Sequence, residues 1–215
     1  RVAYRETLAR PVEVEGKHKK QTGGHGQFGV ATVRFEPLPR GSGFEFVDEI
    51  KGGVIPARFL PAVAAGIEEA MQRGGAHGYP VVDVRAVCVD GKHHSVDSSE
   101  LAFKMAGSLA FRAAVEAVGT EVLEPISHLT VEVLDAYLGD VLGDLNSRRA
   151  QVLGTTPGGA GETTVIEALV PTSEITRYAV DLKAMTGGTG TFDAVHHGYQ
   201  PLPANLLDRL EPVEA

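Results

Sequence analysis

The chain contains no tryptophan, only 6% aromatic residues and a single cysteine, Cys88, in 215 positions. A lone cysteine closes no internal disulfide and supplies no thiolate zinc site, so a reducing, cytoplasmic setting is the simplest reading. Long apolar runs are missing too: the longest, such as residues 80–89, fall far short of the roughly 20 residues a membrane span needs. The opening residues, Arg1-Val2-Ala3-Tyr4-Arg5-Glu6-Thr7, lack a signal peptide's apolar core, and the absence of an initiator Met reads as that of an excised piece. An excess of basic charge is also absent. The net charge of −8 argues against indiscriminate nucleic-acid binding.

With 43% hydrophobic and 22% charged residues, the composition is that of a folded chain and excludes bulk disorder, collagen-like repeats and coiled coil. Its length allows one large domain or two small ones. The charge is unevenly spread. Residues 1–125 carry 15 basic and 16 acidic side chains, residues 126–215 five and twelve, and residues 1–35 seven and three. An acidic chain with one basic end engages a polyanion through a defined patch, not through its overall field.

Along the chain, an extended segment over residues 1–15 runs into a polar, glycine-rich loop over residues 16–29. Alternation then predicts strands at 30–37 and 44–50. Pro61 opens a helix whose apolar positions Val63, Ile67 and Met71 repeat at helical spacing until Gly74-Gly75. A β-branched run predicts a strand at 81–89, followed by a loop over 90–96. Asp97 and Glu100 fit a capping box for an Ala-rich, apolar and therefore buried helix over 98–118. Glu124-Pro125 marks a boundary between residues 1–124 and 125–200. The second part reads strand 126–133, helix 138–149, strand 150–153, turn 155–161, strand 163–170, helix 173–185 and strand 191–197. That βαββαβ order is the ferredoxin-like split βαβ arrangement, and a short helix is expected within 201–215.

The segment Gly23-Gly24-His25-Gly26-Gln27-Phe28-Gly29 is as rich in glycine as a phosphate loop. No Lys-Ser/Thr pair follows it and no helix opens there, so it is neither a Walker A loop nor a dinucleotide fingerprint. Two readings stay open: a flexible hairpin loop, or a narrow finger in which Gly24, His25, Gly26 and Gln27, flanked by Lys17, Lys19 and Lys20, meet RNA. Lys92, His93, His94 and Ser95 form a second candidate loop. Adjacent histidines do not converge unaided on one ion and no H-E-x-x-H pattern accompanies them, so no metal site is expected. A histidine-metal enzyme using His93, His94 and Asp97 is the alternative from another class. Ser95 and Ser98 lack a nucleophile elbow. Arg148 and Arg149 sit in a helix's last turn, where they complement the helix dipole or contact RNA. His196-His197 reads as solvated, and Cys88 shares a face with Val82, Val84 and Ala86 and reads as core.

Several stretches in order resemble the C-terminal part of translation elongation factor G. They are Tyr4-Arg5-Glu6-Thr7, Val14-Glu15-Gly16-Lys17-His18, the glycine segment at 23–29, Ile50-Lys51-Gly52-Gly53-Val54-Ile55-Pro56, and Gly78-Tyr79-Pro80-Val81-Val82-Asp83. Residues 94–104, Leu123-Glu124-Pro125-Ile126, Gly139-Asp140-Val141-Leu142-Gly143-Asp144-Leu145 and Val170-Pro171 continue the match. The resemblance implies an α/β (α+β) chain: a ribosomal-protein-S5-like domain IV at 1–124, a ferredoxin-like domain V at 125–200, and a terminal helix packing back on domain IV. It implies no catalytic residue and no cofactor here, with GTP and Mg belonging to an N-terminal domain outside this chain. It further implies a monomeric, cytoplasmic ribosome-binding factor, with no membrane contact, whose tip loops touch the tRNA–mRNA complex through Gly24, His25, Gly26, Gln27, Lys92, His93, His94 and Ser95. Large-subunit rRNA would face the second domain, with Arg148 and Arg149 as contacts. His25, Ser95 and the loss of basic residues over 186–191 depart from the family pattern. They point to an alternative: an elongation factor G-like paralogue, or a ribosome-protection factor without ordinary translocase activity.

Overall fold

The computed structural model describes residues 1–159, 161–210 and 213, and of Thr22 only the backbone. Two compact units make up the chain: residues 4–123 with 201–215, and residues 124–200 with 1–3. Residues 1–3 join the latter, where the Tyr199 hydroxyl donates to the Ala3 carbonyl at 2.8 Å.

In the first unit, β2 (Val12–Thr22) and β3 (His25–Pro37) form a long antiparallel hairpin. The sheet continues through β5 (Val84–Lys92) to β4 (Phe44–Asp48), which runs parallel to β5. A short strand, β1 (Arg5–Leu8), pairs with residues 120–123 at the start of β6 (Thr120–Leu134). The glycine-rich stretch is therefore not a loop. Pairing runs unbroken from Val12↔Phe35 to Thr22↔His25, and only Gly23 and Gly24 turn, with φ of 55° and 105°. Those angles suit a type I′ hairpin, whose twist matches that of the strands. The end of this hairpin has no apolar alternation because it extends past the core, which hid it from a pattern search.

Helices α1 (Leu60–Arg73) and α2 (Glu100–Val118) cover this sheet. Pro61 stands in the first turn of α1 and Gly74 caps its end, as the sequence predicts. Helix α2 starts later than expected. Its N-cap is Ser99, which accepts from the Ala102 N–H at 3.1 Å, so Asp97 is not the cap and lies in the loop before it. Its burial is one-sided as well. Phe103, Ala106, Ala110 and Phe111 are in the core, whereas Leu101, Met105 and Leu109 stay exposed. Strand β5 starts three residues later than the sequence suggested, after Asp83 in the left-handed region (φ 61°), and extends to Lys92. Asp83 is buried there, accepting from Arg40 at 2.9 Å and from the Gly43 N–H at 3.0 Å.

Backbones, not side chains, meet on both flanks of α2. A Cβ at Gly16 would lie 2.0 Å from the Ala106 carbonyl oxygen, and one at Gly29 3.0 Å from that of Ala102. On the other flank a Cβ at Gly66 would lie 1.9 Å from the Lys104 carbonyl oxygen, and one at Gly107 2.3 Å from that of Val63.

The second unit has the ferredoxin-like order. After the bulk of β6 come α3 (Leu138–Ser147), β7 (Gln151–Pro157), β8 (Thr163–Pro171), α4 (Tyr178–Met185) and β9 (Thr191–Pro201). The strands lie in the order β9-β6-β8-β7. Leu129, Val131, Val133, Val141, Leu145, Ile166, Tyr178 and Leu182 form its core. The helix expected over 173–185 is divided into a 3-10 turn, Thr172–Ile175, and α4. Strand β7 runs through Pro157, so the expected turn shifts toward β8, and its Ala160 lies outside the described residues. The expected terminal helix is a 3-10 helix, Ala204–Arg209; residues 211, 212, 214 and 215 lie outside the described residues. No helix among the described residues is long and apolar enough to cross a membrane.

Added methyl groups should have opposite effects at two of the glycines. Gly66→Ala should destabilise the protein by about 1–3 kcal/mol or more by forcing α1 and α2 apart. Gly143→Ala, on an open face of α3 with nothing within 4 Å, should instead stabilise it by about 0.5–1 kcal/mol. Urea denaturation of both variants tests the contrast. Stability should also depend on pH through two buried groups. Burial, helped by Asp48 and Asp90, pushes the Cys88 thiol from 9.0 up to about 12. Burial and Asp144 push the Tyr178 hydroxyl from 10.0 up to about 12, against Arg148. Unfolding frees both groups to ionise earlier, so their stabilisation is complete below about pH 9 and is lost as pH rises toward 12. Thermal melts should show that loss. Cys88→Ala and Tyr178→Phe variants that kept the full wild-type decline would contradict it.

Candidate nucleic-acid interface

At one end of the first unit, the hairpin tip meets the loop over residues 93–99 that leads into α2. The meeting is made by backbone. The Phe28 N–H donates to the Asp97 carbonyl at 2.9 Å, and the Ser98 hydroxyl donates to the Phe28 carbonyl at 2.8 Å. The Phe28 ring also stands edge-on to the His94 ring, with centroids 6.5 Å apart. Gly26 leaves room for the Asp97 carboxylate, since a Cβ there would lie 2.6 Å from Asp97 Oδ2. A cleft of about 270 Å³ results, lined by Lys19, Lys20, Gln27, Phe28, His94 and Asp97 among others.

The predicted tip residues therefore come together. His25 is exposed beside the Gly23-Gly24 turn, and Lys20 lies opposite Gln27 in the hairpin register. The Gln27 side-chain oxygen bonds His18 Nε2 at 2.8 Å, which orients its amide. Lys92 is not a loop residue: it ends β5, paired with Val30, and is exposed beside His93, His94 and Ser95. Among the described residues, Lys17, Lys19, Lys20 and Lys92 form no ion pair, so their charges are available to a polyanion. Of the residues that join the two loops, the sequence gives Phe28 no role of its own, and it offers Asp97 only as a helix cap or metal ligand and Ser98 only as a nucleophile. Residues some 70 apart meet here, and nothing local in the sequence signals that contact.

The two histidines point their δ nitrogens at different partners. His93 Nδ1 bonds the Val54 carbonyl at 2.9 Å, whereas His94 Nδ1 accepts from the Val96 and Asp97 N–H groups at 3.2 and 3.1 Å. His94 Nδ1 and Asp97 Oδ2 stand 3.7 Å apart. Among the described residues no group of three or more His, Cys, Asp or Glu side chains is placed to hold a metal ion.

Arg148 and Arg149 lie in the other unit, just past the end of α3 and not in its last turn. Arg148 donates to Asp144 at 2.7 Å, to Asp181 at 2.9 Å and to the Glu174 carbonyl at 2.7 Å, and it stacks over the Tyr178 ring. Burial works against its charge, but the hydrogen bonds of Asp144 and Asp181 outweigh that and raise its pKa. Arg149, at φ 59°, grips Glu124 with both terminal nitrogens, at 2.7 and 3.1 Å, and reaches Glu174 at 3.2 Å. The Glu124 hydrogen bond, against some burial, raises its pKa too. These guanidinium groups are committed to carboxylates of their own unit.

Comparison with known proteins agrees with this architecture across the chain. Residues 1–119 match the family model for elongation factor G, domain IV, and residues 121–210 match that for the elongation factor G C-terminus. The elongation factor G-like protein of Mycobacterium tuberculosis (strain CDC 1551 / Oshkosh) is 49% identical over 211 residues, covering 98% of this chain. Elongation factor G of Aquifex pyrophilus is 49% identical over 209 residues, covering 97%. A crystal structure from Thermus thermophilus superposes with a TM-score of 0.90 at 41% identity, over 97% of this chain and 31% of the other. The chain spans 29–30% of the length of the two curated relatives. With both family models matched in order over nearly its whole length, the chain belongs to the elongation factor G family and carries that family's domain IV and C-terminal region.

Proposed function

We propose that this chain is the ribosome-reaching part of a translational GTPase. In this reading its hairpin tip and 93–99 loop contact the tRNA–mRNA complex in the decoding region and support translocation. The observation that carries the reading is the convergence of the two loops. It gathers Lys19, Lys20, Gln27, Lys92 and His94 at one end of the first unit. Such a set suits an RNA backbone: lysines attract phosphate, and the amide and imidazole donate hydrogen bonds without reading base sequence. A factor that acts on every codon needs that indifference to sequence.

The chemistry of GTP, with Mg, belongs in this reading to a domain outside the chain. The tip acts as a steric and hydrogen-bonding wedge that blocks backward slippage while nucleotide-driven change occurs elsewhere. The second unit faces large-subunit rRNA. The factor works as a monomer in the cytoplasm. A second reading is favoured by the strongly acidic second unit and by a relative named elongation factor G-like protein. In it the same tip enters the ribosome without moving mRNA.

One experiment on the full-length factor tests both. Toeprinting on pre-translocation ribosomes with GTP should show the mRNA advancing by one codon. His94→Ala should slow that step roughly tenfold, the rate equivalent of one hydrogen bond, with ribosome-stimulated GTP hydrolysis unchanged. Equal loss of both activities would remove the tip assignment. Binding without advance by the unaltered factor would establish the second reading.

A further inference from the structure

We infer that Ser98 is a positioning residue that locks His94 in one tautomer, so that the tip presents a neutral Nε2–H donor to an acceptor oxygen of the RNA backbone. The inference deepens the ribosomal reading above and rests on it for the identity of the ligand.

Ser98 ties down His94 from both sides of its peptide unit. The His94 N–H donates to Ser98 Oγ at 2.8 Å, and the Ser98 N–H donates to the His94 carbonyl at 3.1 Å. The hydroxyl has one proton, and it goes to the Phe28 carbonyl at 2.8 Å. Ser98 thereby fastens the His94 turn to strand β3, and the Phe28 N–H makes a parallel tie to the Asp97 carbonyl at 2.9 Å. Held this way, the Val96 and Asp97 amides both point at His94 Nδ1, at 3.2 and 3.1 Å.

Two N–H donors on one nitrogen require its lone pair. A neutral imidazole that accepts at Nδ1 carries its proton on Nε2. Nε2 has no partner among the described residues, and the His94 side chain is 54% exposed. What faces outward is thus an N–H group with no formal charge, beside a cleft that Lys19 and Lys20 make cationic. The competing arrangement is also visible. Asp97 Oδ2 lies 3.7 Å from Nδ1, so in a loosened loop the other tautomer, with its hydrogen on Nδ1, would turn to that carboxylate. Ser98 holds the loop out of that arrangement. Threonine can supply the same hydroxyl; alanine cannot.

The test joins a spectroscopic and a kinetic reading. Long-range proton–nitrogen NMR correlation on this 215-residue chain should show His94 Nδ1 as an unprotonated acceptor and Nε2 as protonated. Ser98→Ala should yield mixed tautomers and, in the full-length factor, slow translocation roughly five- to tenfold with GTP hydrolysis intact. Ser98→Thr should restore both. A proton on Nδ1 in the unaltered protein would overturn the inference, as would an unchanged tautomer and rate in Ser98→Ala. A slowed rate that Ser98→Thr fails to rescue, with the tautomer restored, would also overturn it. If Ser98→Ala mixes the tautomers while neither it nor His94→Ala alters translocation, the tautomer lock stands and the ribosomal reading falls.

Discussion

Helix α2 touches its neighbours backbone to backbone on both flanks, and the tip depends on that closeness. Gly16 and Gly29 let the hairpin lie against the turns of α2 around Ala102 and Ala106, while Gly66 and Gly107 let α1 do the same on the opposite flank. With no side chains between them, these elements have little freedom to slide or rotate. Phe35 against Phe111 and Phe59 stacked on Phe103 fill the space around the contacts, with centroids 5.9 and 5.1 Å apart. Once α2 is fixed this way, its leading loop has to run beside β3 at Phe28. Rigidity at the tip is therefore inherited from the core.

Charge is used differently in the two units. In the first, the tip lysines lie on strands and form no ion pair among the described residues. Cations near the sheet's other end are spent in a ladder of Arg34, Glu36, Arg85 and Glu45, which is too exposed to add much stability. In the second unit the arginines one would offer to RNA are neutralised within the fold. Arg149 binds Glu124, a nearly buried carboxylate that would be costly to leave unpaired, and Arg148 closes the end of α3 over Tyr178. Pairs of this kind hold a domain together and take both guanidinium groups into its own hydrogen bonding.

Much of the fold was legible in the sequence because it rests on local chemistry. Pro61 and Gly74 bracket α1, Val84, Ala86 and Cys88 alternate into the core, and the βαββαβ order follows from periodicity and turns. The length of the hairpin was not legible for a physical reason: beyond Gly16, β2 is polar throughout (Lys17 to Thr22), and its pairing with β3 rests on the backbone ladder and the Gly23-Gly24 turn. Asp97 looked like the cap of α2 because a capping box is a local pattern. Ser99 takes that role, because Asp97 and Ser98 are held by Phe28, a partner far off in sequence. Arg148 and Arg149 read as possible RNA contacts for the same reason, their acidic partners Glu124, Glu174 and Asp181 being up to 33 residues away. The residues that the resemblance implied for the tip are neighbours in the fold, whereas the bonds that join the two loops had no local signal in the sequence.

Proximity cleavage tests the proposed entry of this tip into the decoding region. Cys88 is fully buried and its thiol is pushed up to about 12, so within these 215 residues an iron chelate attached at Ser95→Cys labels only the tip, once accessible cysteines elsewhere in the full-length factor have been replaced. Hydroxyl radicals generated there on the ribosome should cut small-subunit decoding rRNA and the tRNA–mRNA complex. Cuts confined to large-subunit rRNA, or to none of these, would contradict the account.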